Sequence, residues 1–224
     1  MHSLGYEIIV WDWNGTLLDD ADFGAQIVNG LLRSRGLPER SREEHAFLFD
    51  FPVILYYERL GFDFSRERFE DISHDFVESY YGSVQHCPLH SGTRRILESL
   101  RGAGLRQVVL SATRQDLLED IIQSHGLNEY FDCLVGIDSV HAPGKSGRGV
   151  DWMKESGLEP ARVLLIGDTV HDSEVAEEMG VDCWLVCTGH HPRERLAATG
   201  RPLFAGLDAI ESELLASAGE GMSE

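Results

Sequence analysis

Short runs rich in Val, Ile and Leu recur along the chain, each closed by a polar loop: EIIVW at 7–11, RQVVL at 106–110, CLVGI at 133–137, RVLLIG at 162–167 and CWLVC at 183–187. Apolar residues at consecutive rather than alternate positions suit strands buried on both faces. Helical patterns lie between them. TRRILESLRGAG at 93–104 sets Ile96, Leu97 and Leu100 on one face. DLLEDIIQSHG at 116–126 groups Leu117, Leu118, Ile121 and Ile122 and stops at Gly126, and DSEVAEEMG at 172–180 stops at Gly180. The alternation predicts an α/β fold, a doubly wound parallel sheet with helices on both faces. Such folds bind ligands beyond the carboxyl ends of their strands, so the residues after each run carry the chemistry.

Residues 20–87 break the rhythm and hold no convincing strand. Phe23, Ile27 and Leu31 repeat at helical spacing, Pro52 opens a helix through VILYYERL, and Phe69, Ile72, Phe76, Tyr80 and Tyr81 mark a long amphipathic helix. The reading is a core of residues 1–19 and 88–224 with a small helical insert over 20–87, left near CPLHSG at 87–92; the tail at 216–224 is expected to fray. A chain of 224 residues folds without staples, and 38 acidic against 19 basic residues give it a charge of −19. That balance excludes a nucleic-acid backbone and an anionic membrane surface as partners. It leaves small phosphates open, because local donors and metal ions hold those. No apolar stretch is long enough to cross a membrane, and MHSLGYEIIV has no basic segment ahead of an apolar one, so a cytoplasmic protein is expected. Cys87, Cys133, Cys183 and Cys187 form no C-x-x-C pair and are read as reduced core cysteines.

The first strand delivers W-D-W-N-G-T-L at 11–17, which puts Asp12 at a strand end and gives Gly15 and Thr16 a tight turn with free N–H groups for an anion. Ser111 follows the second strand. Lys145 stands in HAPGKSGRG, a loop between the third strand and a helix. G-D-T-V-H-D at 167–172 places Asp168 at a strand end and Asp172 at a helix start. Plainer roles exist for each: Ser111 and Asp172 as helix N-caps, Lys145 as a solvated loop residue. Lysine is scarce, however, with Lys154 the only other one, which gives the position of Lys145 weight. G-K-S at 144–146 fails as a P-loop because Ser139 stands where a glycine is required, and G-A-G at 102–104 follows a helix rather than a strand. His190 and His191, being adjacent, are poor ligands for one metal and are read as loop residues.

These motifs, in this order and with an insert between the first and second, resemble the haloacid dehalogenase superfamily of phosphatases and phosphotransferases, in particular its phosphoglycolate-phosphatase-like members with a helical cap. The resemblance implies a Rossmann-like core with the 20–87 insert as cap. It implies Asp12 as the nucleophile of an aspartyl-phosphate mechanism. It implies Mg²⁺ held by Asp12, the backbone carbonyl of Asn14 and Asp168, with Asp172 in or near the coordination shell, a set of hard oxygens suited to that ion. Gly15, Thr16, Ser111, Ala112 and Lys145 would bind the phosphoryl group, and Lys145 would offset the carboxylate charge. The implied partner is a small phosphorylated metabolite, with phosphoglycolate the suggested substrate, met by a monomer or homodimer.

The chain departs from the family in one place. The usual D-x-D-G-T reads D-W-N-G-T here, with Asn14 where a second Asp protonates the leaving alcohol and then activates water. Asparagine cannot exchange a proton at neutral pH, and such help is worth about 10²–10⁴-fold. One reading is a phosphatase whose substrate has a good leaving group, or in which His90, His45 or His74 supplies the proton. Phosphonate cleavage needs a cap lysine, and residues 20–87 contain none. A dehalogenase needs no metal, against which the pair Asp168 and Asp172 argues. A weakly active or non-catalytic member that binds a phosphorylated ligand or a protein is the alternative, and deamidation at Asn14-Gly15 would restore the acid. Tyr56, Tyr57 and Arg59 are candidate specificity contacts in a cap that closes over the site.

Overall fold

The computed structural model describes residues 5–137 and 144–220, without the side chains of 217–220. Ser139 and the tail beyond 220 lie outside the described residues. Strand β1 (Ile8–Trp11) is buried at every position. Its two-residue period sends Ile8 and Val10 into one apolar cluster and Ile9 and Trp11 into another.

After β1 the chain leaves the sheet for α1 (Ala21–Ser34), α2 (Arg42–Leu48), α3 (Val53–Leu60) and α4 (Phe69–Tyr81). These helices close on their own core of Val28, Leu32, Tyr56, Tyr57, Leu60 and Ile72. Pro52 is the N-cap of α3, and Ser41 with Glu44 forms a capping box that starts α2. The outgoing and returning chains run side by side: Asp19 N donates to the Pro88 carbonyl at 2.8 Å, and His90 N to the Leu17 carbonyl at 2.9 Å.

The chain then alternates through α5 (Thr93–Gly102), β2 (Arg106–Arg114), α6 (Gln115–Ser124), β3 (Cys133–Ile137), α7 (Lys145–Ser156), β4 (Val163–Gly167), α8 (Val170–Met179), β5 (Asp182–Val186), α9 (Arg193–Ala197), β6 (Leu203–Phe204) and α10 (Leu207–Glu220). The sheet is parallel throughout, in the order β3-β2-β1-β4-β5-β6. Helices α5, α6 and α10 cover the face that carries Ile9 and Trp11. Helices α7, α8 and α9 cover the face that carries Ile8 and Val10. With β1 at the centre, the order reverses beside it, and Asp12 emerges at that switch point.

Several expectations need correction. Strand β2 runs on to Arg114, past its apolar run, because its register against β3 shifts between Leu110 and Arg114. Such a bulge re-aims side chains, here those of residues 111–113. Ser111 is therefore no N-cap, since Arg114 precedes α6. Lys145 is not in a loop but is the first residue of α7. Asp172 is the third residue of α8, with Thr169 as its N-cap. Cys133 is exposed and Cys187 only partly buried, while Cys87 and Cys183 lie in the core; all four are free. Among the described residues, no helix is long and apolar enough to cross a membrane.

Candidate active site

Asp12, Asp168 and Asp172 converge from the ends of β1 and β4 and the first turn of α8, each buried, with one carboxylate oxygen apiece lying within 4.8 Å of the others. Lys145 reaches them from the N-terminus of α7. Its ammonium bonds Asp12 Oδ1 and, at 2.5 Å, Asp172 Oδ1. The other oxygen of Asp172 accepts from the N–H and hydroxyl of Thr169 at 2.9 and 2.6 Å, so helix capping fixes the angle at which Asp172 meets Lys145. Thr16 Oγ1 lies 2.8 Å from Asp12 and 2.9 Å from Asp168, and its single proton serves one of them at a time.

His190 completes the knot. Its backbone N–H donates to Asp168 Oδ2 at 2.6 Å, and its ring Nδ1 lies 3.0 Å from the same oxygen. Burial opposes the charge on His190, but the hydrogen bond and charge of Asp168 dominate and lift its pKa to about 9. The same contacts hold Asp168 below the usual carboxylate range against its burial. Burial drives the Asp12 carboxyl well up; Lys145 pulls it down, and Asp172 and Asp168 push it further up. Burial works against the Lys145 ammonium, yet Asp12 and Asp172 keep it above the ordinary lysine value. Three converging carboxyl groups offer hard oxygen donors that fit a divalent ion such as Mg²⁺, whose charge would favour the ionised form of Asp12.

Gly15 is fixed by space as well as by its φ of +79°: a Cβ there would stand 2.4 Å from Asp168 Oδ2 and 2.4 Å from His190 Nδ1. The N–H groups expected to be free for an anion are both used. That of Gly15 bonds Asp20 Oδ1 at 2.8 Å and the Leu18 carbonyl at 2.9 Å, and that of Thr16 bonds the Trp13 carbonyl at 3.3 Å. The turn closes on itself and on Asp20.

Asn14 is saturated. Its Nδ2 donates to Asp20 Oδ2 at 2.9 Å and to the Tyr80 hydroxyl at 2.7 Å. Its Oδ1 accepts from Ser111 at 3.2 Å and from Thr113 at 2.7 Å. Tyr80 in turn donates to Asp20. Burial is the main reason its phenol is held well above the ordinary tyrosine value, with Asp20 adding to it. Ser111 Oγ also accepts from Thr113 N–H at 3.0 Å.

A cavity of about 720 Å³ opens over Asp12, Asn14, Lys145 and Asp172, floored by Ala112 and Thr113 and walled by cap residues. Ser111, Gly15, Thr16 and Asp168 stand behind that surface. The cap is fastened to the core around it. Arg195 donates to the Phe49 carbonyl at 2.5 Å, Arg42 to the Gly189 carbonyl at 2.8 Å, and Phe51 stacks on His171 at 4.5 Å. Of the three histidines proposed as proton donors, His45 borders the cavity but spends both ring nitrogens on Tyr56 and Asn29. His90 lines a separate hollow beside Arg94, and His74 is exposed. Tyr56 and Tyr57 are core residues that also touch the cavity. Arg59 binds Asp50 at 2.7 Å on the surface. Asp20, Tyr80, Thr113 and His190 were missed from the sequence. Of these, Asp20 had a signal, an acidic residue close behind D-W-N-G-T.

A family model described as haloacid dehalogenase-like hydrolase matches residues 9–186. A phosphoglycolate phosphatase of Caulobacter vibrioides is 26% identical over 207 residues, covering 88% of this chain and 87% of its own. One of Aquifex aeolicus is 26% identical over 185 residues, covering 82% and 85%. The crystal structure of a predicted phosphatase from Clostridium acetobutylicum superposes with a TM-score of 0.81 at 19% identity, over 94% of this chain and 99% of that one.

Proposed function

The chain belongs to the haloacid dehalogenase-like hydrolase family, and on that footing we propose that it is a Mg²⁺-dependent phosphomonoesterase that passes a phosphoryl group from a small ester to Asp12 and then to water. The observation that carries this reading is the buried cluster of Asp12, Asp168 and Asp172 around Lys145, open to a cavity on the Asp12 side. The names of the Caulobacter and Aquifex relatives support phosphomonoester chemistry.

In this reading Asp12 attacks phosphorus. Lys145, released from Asp12 Oδ1 as substrate enters, meets the transferring oxygens, and Ala112 and Thr113 floor the phosphoryl site. Asp172 positions Lys145, and Thr16 and His190 orient Asp12 and Asp168. Asp12, Asp168 and the Asn14 carbonyl would hold Mg²⁺, with Asp172 in or near its shell, and the ion would supply the positive charge that lets one anion attack another. Residues 20–87 act as the cap that chooses the substrate and excludes water, over a core of 1–19 and 88–224. Asn14 has no proton to exchange, so neither departure of an alkyl leaving group nor water attack on the aspartyl-phosphate receives acid–base help. With a leaving group that needs no proton, hydrolysis of the aspartyl-phosphate is the slow step. Free thiols at all four cysteines accord with a cytoplasmic enzyme.

The test is phosphate release from a panel of phosphomonoesters, with and without Mg²⁺, by the wild type and Asp12→Asn. Release that needs both the metal and Asp12 is expected. A wild type that binds Mg²⁺ but releases nothing from any ester would leave the non-catalytic ligand-binding alternative.

A further inference from the structure

Building on the phosphatase reading, we propose that the substrate is an aryl phosphomonoester, a phosphorylated phenol whose ring lies among the cap aromatics and whose oxygen departs as phenolate without receiving a proton. The first support is the shape and chemistry of the cavity. At about 720 Å³ it lies within the range of pockets that hold ring-bearing ligands, and a two-carbon acid would leave most of it empty. Phe49, Phe51, Phe76 and Tyr81, half-buried, line it together with Val53 and Val77. Its arginines and lysine are committed elsewhere: Arg42 to Asp22 at 2.6 Å, Arg114 to Asp116 at 2.5 and 2.7 Å, and Lys145 to the carboxylates. Among the described residues, no uncommitted arginine or lysine on this wall awaits a second anionic group. Aromatic walls favour a ring, edge-to-face or offset-stacked.

The second support is independent of the first. Both amide protons and both acceptor positions of Asn14 are taken, so it offers nothing to a leaving group. Asp20, the carboxylate beside it, only accepts, from Gly15 N–H, Asn14 and Tyr80. A leaving oxygen beside Asn14 and Asp20 therefore receives a proton from neither and departs as an anion. A phenol ionises near pH 10, as tyrosine does, whereas a simple alcohol, like water, ionises only at far higher pH. Only the former leaves readily unaided. As an Asp12 oxygen bonds to phosphorus, the bond from phosphorus to the aryl oxygen breaks and its electron pair leaves on the phenolate, which takes a proton from solvent. Water oxygen then attacks phosphorus, the bond to Asp12 breaks with its electrons returning to the carboxylate, and the water proton remains on inorganic phosphate or passes to solvent.

Phenyl phosphate and benzyl phosphate test this, because they share the ring and differ in the leaving oxygen. The Mg²⁺-loaded wild type is expected to favour phenyl over benzyl phosphate by at least about 10²-fold in kcat/KM, the lower bound for a missing acid. That ratio should collapse in Asn14→Asp as the benzyl ester gains. Phenylphosphonate, which is not hydrolysed, should bind the wild type more tightly than methylphosphonate, and Phe51→Leu should weaken the phenyl compound about 3- to 10-fold, as the loss of one aromatic contact implies. Comparable turnover of the phenyl and benzyl esters, or equal binding of the two phosphonates, overturns the aryl assignment while the phosphatase reading stands. No phosphate from phenyl, benzyl or methyl phosphate by Mg²⁺-bound protein overturns both.

Discussion

Replacing Asn14 with Asp does not simply restore a family acid, because the new oxygen takes the place of Nδ2, 2.9 Å from Asp20 Oδ2. Two carboxylates at that separation repel by about 6 kcal/mol at an effective dielectric constant of ~20, equivalent to about 4 pKa units. The pair therefore holds one proton well above neutral pH. With a proton to give, Asn14→Asp becomes a competent acid for cleaving an alkyl ester. It remains a poor base for water attack on the aspartyl-phosphate, because the pair, having given its proton to the leaving alcohol, takes another from solvent before water attacks. The double variant Asn14→Asp/Asp20→Asn removes the repulsion and leaves the introduced carboxyl group free to do both. Steady-state kinetics on benzyl and phenyl phosphate separate the two steps. Relative to wild type, kcat/KM for the benzyl ester, which reports phosphoryl transfer to Asp12, is expected to rise by about 10²–10⁴-fold in both variants. By contrast, kcat for the phenyl ester, limited by phosphoenzyme hydrolysis because its leaving oxygen needs no acid, should rise only in the double variant. An unchanged kcat/KM in a folded, Mg²⁺-binding double variant refutes the placement of Asn14 at the leaving group. Identical behaviour of single and double variants refutes the coupling to Asp20.

Three further outcomes follow from the same geometry. Gly15→Ala combines a φ of +79° with a Cβ 2.4 Å from Asp168 and His190, and should cost about 2–5 kcal/mol in urea unfolding from left-handed strain plus overpacking, with loss of Mg²⁺ binding by calorimetry. Lys145→Met leaves Asp12 and Asp172 buried without their cation. It should lose about 3–5 kcal/mol of stability in metal-free protein, part of it recovered when Mg²⁺ is added. The pKa of His190 is raised to about 9, so its pairing with Asp168 stabilises the metal-free fold fully below the unfolded value of about 6.5 and is lost as pH rises through about 9. The Tm should fall across that window, and His190→Gln should flatten the slope.

The periodic parts of the structure were readable because burial on both faces of a parallel sheet writes itself as consecutive apolar residues. Thus β1, β3, β4 and the helix over 69–81 lie where their patterns put them. Short elements carried no such signal: β6 is two residues long and α9 is five. The capping box of Ser41 and Glu44 was legible in hindsight as the start of α2. At the site, Asp12, Asp168, Asp172 and Lys145 converge because each follows a strand that the pattern located. The network around Asn14 was not legible. Asp20, Tyr80 and Thr113 reach it from the cap entrance, from α4 and from a strand bulge, and neither tertiary proximity nor a bulge has a period. His190 was hidden for the same reason, since a loop histidine acquires meaning only when a turn sets it 3.0 Å from Asp168.

The central claim, that Asp12 carries the phosphoryl group and that Asn14 makes its release slow, is tested most directly by acid-quenching the Mg²⁺-loaded protein during turnover of phenyl phosphate and mapping the phosphoryl adduct by peptide mass spectrometry. The account predicts that one phosphoryl group accumulates on the peptide bearing Asp12, requires Mg²⁺, disappears in Asp12→Asn and becomes sparse in Asn14→Asp/Asp20→Asn, where hydrolysis is fast. Steady phosphate release by the wild type with no adduct on Asp12, or with undiminished release from Asp12→Asn, would contradict it.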